Sequence, residues 1–246
     1  MADVGYYRPF AEFCRRDNYD DVLHDALEDV AGKVDFSRVK SCVAFGTGSG
    51  DQEMKFARRL MPNLRSFVAV EDDRQSIAAL RANFRDGLLP GVETSVVETS
   101  VQSWNGVDDH VDAALFFSVL CHVGADDRRA LFRKLMKHVS RGGLVVINEN
   151  CSTPNGYVVL LDRLGTVRVD YGELEDEMVA SGFRVLSKQD FTLQRDLSDP
   201  SDGVVQYIQI VTHYKHSDAV VRAAIEDVYR QPSMKISRKQ LAIFTK

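Results

Sequence analysis

The sequence predicts an α/β protein with a doubly wound, mostly parallel seven-stranded sheet, and three observations carry that expectation. Ser41–Leu60 reads as a buried strand, a glycine turn and an amphipathic helix. A second apolar run, Ser66–Val70, ends in Glu71. That acid follows the glycines by about 20 residues, the spacing at which a nucleotide-binding turn is followed by a carboxylate for ribose hydroxyls. Apolar runs then keep alternating with amphipathic segments, which calls for parallel strands covered by helices on both faces.

Residues 6–31 precede the first strand. Phe10, Phe13, Leu23, Ala26, Leu27 and Val30 recur at helical spacing, with a break around Asp17-Asn18. The segment lies outside the alternating core, so it is either an edge-packing helix or a lid over the crevice at the carboxyl ends of the strands. The run Ser41–Phe45 is the first strand. Gly46-Thr47-Gly48-Ser49-Gly50 is the turn, and Asp51 opens a helix with Ala57 and Leu60 on one face. Glycines there admit a ligand to the backbone, and the free N–H groups of the helix start suit an anion. The same stretch also reads as an ordinary strand-to-helix turn.

Beyond Glu71 come a helix at Arg74–Phe84, a strand at Val92–Val97 and a loop around Trp104-Asn105-Gly106. Val111–Val119 is nearly unbroken in apolar character, which places it centrally. Asp126–Val139 is helical, Arg141-Gly142-Gly143 a tight turn, and Leu144–Ile147 a strand. Cys151–Gly156 is a loop, and Tyr157–Leu164 and Tyr171–Ser181 are helices. Phe183–Ser187 is a strand, Arg195–Gly203 a polar loop, Val204–Tyr214 and Ala219–Tyr229 helices, and Lys239–Thr245 a last strand.

The chain has 246 residues, 44% hydrophobic and 27% charged, which suits one substantial core. A net charge of -5 argues against a nucleic-acid binder that relies on a basic face. No apolar run reaches membrane-spanning length, and MADVGYYRPFAEF has no basic-then-apolar signal, so a cytoplasmic protein is expected. Cys14, Cys42, Cys121 and Cys151 are far apart with no CxxC, so neither a disulfide framework nor a metal site is expected.

The glycine turn, Glu71 and Arg141-Gly142-Gly143-Leu144 together resemble the class I S-adenosylmethionine-dependent methyltransferases. YYRPFAEF, GTGSG, VEDDRQSI, VETSVQSW, LFFSVLCHV and RDLSDPSDG, in this order, resemble the histamine N-methyltransferases more narrowly. The resemblance implies one domain over 1–246, with a helical lid at 1–38, a cofactor half at 39–150 and an acceptor-side half at 151–246. It implies S-adenosyl-L-methionine contacts at Gly46, Gly48, Glu71, Ser76, Ser100 and Phe117. Core packing for Phe117, and local capping for Ser76 and Ser100, are the alternatives by residue type.

Methyl transfer from a sulfonium needs alignment and exclusion of water, with no metal and no covalent nucleophile. An amine nucleophile must also lose its proton. The acceptor is expected beside the ends of the fourth and fifth strands, against Tyr19, Asp20, Ser118, Cys121, His122, Tyr157 and Ile208, with His122 placed to accept a proton or orient the amine, and a surface or helix-start histidine as the alternative. The acid that binds the amine in the relatives falls at Tyr19 here, with Asp20 and Asp21 beside it. Pocket tyrosines fall at Cys121 and His122, tryptophans at Tyr157 and Leu161, a phenylalanine at Ile208 and an asparagine near Ser237. A small amine other than histamine, handled by a monomer, is therefore expected. A non-amine acceptor, a nicotinamide-dependent oxidoreductase and a non-catalytic cofactor-binding protein are the competing readings. GTGSG departs from GxGxxG, and no Tyr-x-x-x-Lys pair follows the fourth strand, which disfavours the oxidoreductase.

Overall fold

The computed structural model describes residues 7–106, 110–150, 155–166 and 171–246. In chain order the elements are α1 (Tyr7–Cys14), α2 (Tyr19–Ala31), β1 (Ser41–Phe45), α3 (Asp51–Leu60), β2 (Ser66–Glu71), α4 (Arg74–Arg85), β3 (Glu93–Glu98), β4 (Val111–Phe117), α5 (Ala125–His138), β5 (Val139–Asn150), α6 (Gly156–Arg163), α7 (Tyr171–Ala180), β6 (Arg184–Gln194), α8 (Asp202–Val211), α9 (Asp218–Tyr229) and β7 (Ile236–Thr245). Of the loop expected at Cys151–Gly156, residues 151–154 lie outside the described residues.

The seven strands form one sheet in the order β3-β2-β1-β4-β5-β7-β6. Strands β1 to β5 pair in parallel, and β7 runs antiparallel between β5 and β6. This is the doubly wound architecture that the alternation predicts. β1 and β4 are paired on both edges and apolar on both faces, so their sequences show no polar alternation. The strand order reverses between β1 and β4, which opens a crevice at their carboxyl ends.

Two strands differ most from expectation. β6 continues from the expected Phe183–Ser187 to Gln194. Being an edge strand, it buries Ser187, Phe191 and Leu193 while polar neighbours between them face solvent, so it lacks a continuous apolar run. Arg141-Gly142-Gly143 is not a free turn but an irregularity inside β5. Between the pairs Val111–Val139 and Ala113–Leu144, β4 advances two residues while β5 advances five.

One face of the sheet packs Leu23, Leu27, Met54, Phe56 and Leu80 of α2, α3 and α4. The other packs Leu131, Phe132, Leu135, Leu174 and Met178 of α5 and α7, with Trp104 edge-on to Phe45. A third cluster joins Phe13 of α1 to Tyr157, Tyr207 and Tyr229 of α6, α8 and α9. The break at Asp17-Asn18 is fastened to the end of β6. The Asn18 amide donates to the Gln194 carbonyl at 3.2 Å, and the Gln194 amide to Asn18 Oδ1 at 2.8 Å. Next to it, Arg195 forms a buried ion pair with Asp17, the two side chains being 5% and 3% exposed.

Candidate active site

A cavity of about 750 Å³ lies at the carboxyl end of the parallel strands. Loops after β1, β2, β3 and β4 line one side; α1, the ends of β5 and β6, the start of β7, α6 and α8 line the other. The size suits one or two small ligands.

On the first side, the turn after β1 is shaped by its glycines. Gly46 has φ +56°, and a Cβ there would lie 2.3 Å from Val119 Cγ2. Gly48 has φ +55° with no atom within 4 Å of a Cβ position, so its constraint is conformational and the space above it is open. Gly48 N–H donates to Glu71 Oε2 at 2.7 Å, and Glu71 Oε1 accepts from the Asp72 and Asp73 amides at 3.0 and 2.9 Å. Burial raises the Glu71 pKa, and those three backbone bonds oppose the rise. Thr47 Oγ1 is buried and has no hydrogen-bond partner among the described residues. Glu53, on the first turn of α3, is 4% exposed and also lines the cavity. Its carboxyl is pushed up to about 8 by burial, with the charges of Glu71 and Asp51 adding to the rise.

On the other side, β4 ends at Phe117 and Ser118 turns away with φ 57°. Such a conformation costs about 1–3 kcal/mol in a non-glycine residue and marks sites that the surrounding structure enforces. Ser118 Oγ accepts from Lys239 Nζ, and the Ser118 amide donates to the Asn148 carbonyl at 2.8 Å. The Tyr19 hydroxyl accepts from Asn148 Nδ2, and Lys239 Nζ sits 4.7 Å from the centroid of the Tyr19 ring. Tyr157 packs on Phe13 at 5.2 Å between centroids, its hydroxyl 3.3 Å from that of Tyr207. The Arg195 guanidinium lies over Phe13 and Tyr157 at 4.3 and 5.2 Å.

Gly46, Gly48, Glu71, Phe117, Tyr19, Ser118, Cys121, His122 and Tyr157 all line this cavity, as the sequence led us to expect. Phe117 also belongs to the core, edge-on to Phe56, as the packing reading expects. His122 faces the rim in contact with solvent. The cleft wall nevertheless holds its imidazole below the ordinary pKa by desolvation, and His213 adds to this.

Ser76 and Ser100 are not among the residues lining the cavity. Ser76 is buried in the first turn of α4, where its amide is capped by Asp73 Oδ2 at 2.7 Å. Ser100 Oγ accepts from the Ser103 amide at 3.2 Å, and Val101 and Gln102 face the cavity instead. Ile208 packs within the third cluster and does not line the cavity either. The side chains of Asp20 and Asp21 lie outside what is described. Sequence reasoning missed Lys239, Arg195, Asp17, Glu53 and Tyr207. An apolar strand interrupted by lysine, KQLAIFT, was the available signal for Lys239.

Residues 43–143 match the methyltransferase domain family. No curated protein matches the chain in sequence. Among solved structures, the chain is similar to a putative sarcosine dimethylglycine methyltransferase from Galdieria sulphuraria, with 14% identity and TM-score 0.59 over 92% of this chain and 84% of that one. It is similar to a cyclopropane synthase from Mycobacterium tuberculosis, with 14% identity and TM-score 0.60 over 90% and 84%. Magnesium protoporphyrin IX methyltransferase from Synechocystis, solved with bound SAH, aligns with 10% identity and TM-score 0.57 over 93% and 84%. Residues 43–143 thus match a methyltransferase domain family, and the chain as a whole has the seven-stranded fold seen in the class I methyltransferases.

Proposed function

We propose that the protein is an S-adenosylmethionine-dependent methyltransferase whose acceptor is the nitrogen of a small amine. The observation that carries the donor is the glycine turn joined to Glu71 at the end of β2, facing a cavity beside the switch point of the sheet. The residues present fit such a donor. The buried Thr47 hydroxyl lacks a partner among the described residues, and the cradle at Gly48 is open. Bound there, S-adenosylmethionine supplies an electrophilic methyl group on a sulfonium.

The residues of the chain then have separate tasks. Glu71 receives the ribose hydroxyls. Its carboxylate offers about four lone-pair sites, and backbone amides already occupy three. The bond from Gly48 therefore opens as two hydroxyls arrive. Gln102 and Val101 take the adenine side in place of Ser100. Phe117 and α1 exclude water from the centre of the cavity. On the acceptor side, the ring faces of Tyr19 and Tyr157 favour a cation. His122 accepts the proton that the amine must release before its lone pair forms the new N–C bond and the C–S bond breaks.

The match to a methyltransferase domain supports this reading over the nicotinamide one. Calorimetry tests it first: S-adenosylmethionine and its demethylated product should bind, and NAD should not. Mass spectrometry across a panel of small amines, phenols and carboxylic acids then tests the acceptor. Binding of NAD alone would overturn the donor assignment. Transfer confined to oxygen would overturn the amine.

A further inference from the structure

The acceptor side of the cavity holds two buried cations, and they are not equivalent. Arg195 is neutralised: its Nε and Nη2 both reach Asp17 Oδ2, the former at 2.9 Å. Lys239 is 4% exposed and has no carboxylate within 4 Å among the described residues. Its ammonium group is held by Ser118 Oγ, itself on a left-handed backbone, and by the face of Tyr19. A burial this deep is costly for an ammonium group without a counterion. Glu149 acts on it only at longer range. Lys239 lies opposite Asn150 in the β5–β7 register, at the sheet end that lines the cavity away from the glycine turn. Asn150 Oδ1 is buried there with no partner among the described residues.

We propose that Lys239 and the Ser118 hydroxyl form an anchor for a carboxylate on the acceptor, so that the protein methylates the nitrogen of an amino acid rather than of a simple amine. The inference rests on the methyltransferase reading above and narrows its substrate class. An ammonium and a hydroxyl converging on one point supply two donors, which matches the two oxygens of a carboxylate. Arg195 being occupied and Glu149 being near, the floor carries little net positive charge. That suits a monoanion and underserves a phosphate dianion. Bound through its carboxylate at Lys239, an α- or β-amino acid turns its nitrogen back towards Phe117 and the donor side.

The test uses pairs that differ only by a carboxylate: histidine and histamine, tyrosine and tyramine, glycine and methylamine. Each is offered to the full chain loaded with S-adenosylmethionine, and kcat and KM are read separately. The carboxylate member should be favoured at least about tenfold in kcat/KM, mostly through KM. Lys239→Met should abolish that preference, and Lys239→Arg should keep part of it. Acetate, propionate and benzoate, titrated into the protein loaded with the demethylated cofactor, give a readout independent of turnover. They should perturb wild type and Lys239→Arg but not Lys239→Met. Preference for the decarboxylated amines, or carboxylate binding that survives in Lys239→Met, would overturn the anchor. So would carboxylates that leave wild type unperturbed. Cofactor affinity measured on the same samples should be equal in all three proteins. Its absence in wild type would instead sink the methyltransferase reading.

Discussion

Glu53 offers a measurement of what the cavity costs the fold. Its carboxyl is almost fully enclosed on the first turn of α3, close to Glu71 and Asp51, and is pushed from 4.5 up to about 8. Between those values the folded chain holds a proton that the unfolded chain has released. The unfolded state binds fewer protons there, so wild-type stability falls as pH rises from about 4.5 and levels off above about 8. The interval is roughly 3.5 pH units, and each unit corresponds to about 1.4 kcal/mol, which sets a ceiling on the order of 5 kcal/mol. Glu53→Gln keeps the shape and polarity and removes the titration. Urea unfolding of both proteins at half-unit steps from pH 5 to pH 9 reads the effect. The variant should gain on wild type steadily up to pH 8 and hold a constant margin beyond. Parallel stability curves over this range would show that Glu53 titrates normally, and the enclosed-acid argument would fail.

Three further outcomes are expected. Glu71→Ala should weaken binding of S-adenosylmethionine by about 2–3 kcal/mol, as for hydrogen bonds to a charged acceptor, and unchanged calorimetric affinity would remove Glu71 from the donor site. Asp17→Ala leaves Arg195 buried without its partner and should cost about 3–5 kcal/mol of stability. It should also raise hydrogen exchange across residues 7–31, and protection equal to wild type would show that the segment is held by packing alone. Because the imidazole of His122 is held below 6.5, the acid limb of kcat/KM should lie below that value. In His122→Gln the limb should disappear, and a limb that stays in place would assign the proton to another group.

The cofactor half was legible because its chemistry is local. Gly46, Gly48 and Glu71 are fixed by a short strand–turn–helix and by the end of the next strand, and a parallel register brings them together. Ser76 and Ser100 stand away from the cavity lining. Ser100 spends its hydroxyl on a turn bond from the Ser103 amide, whereas Ser76 has only its backbone amide capped by Asp73, and its buried Oγ has no partner among the described residues. The acceptor half was legible only in part. Tyr19, Ser118 and Tyr157 were found through the resemblance in motif order, but Lys239 and Arg195 become site residues only through pairings across the chain. Arg195 is joined to Asp17 over 178 positions and Lys239 to Ser118 over 121. No short-range pattern encodes such distances. The polar alternation of β6 likewise became readable only once its place at the sheet edge was known.

The insertion of β7 between β5 and β6 has a consequence for how the site comes into being. During synthesis, β1 to β6 emerge first, yet β5 and β6 do not pair with each other in the finished sheet and wait for a later strand to join them. Until then each presents an open backbone edge, a liability for pairing with another molecule. Lys239 arrives with that same strand, and the helix break at Asp17 can be fastened only after β6 is in place. The glycine-turn side of the cavity is thus complete before its opposite wall. A chain stalled before residue 236 would therefore hold the glycine turn and Glu71 while the opposite wall of the cavity, with Lys239, was still missing.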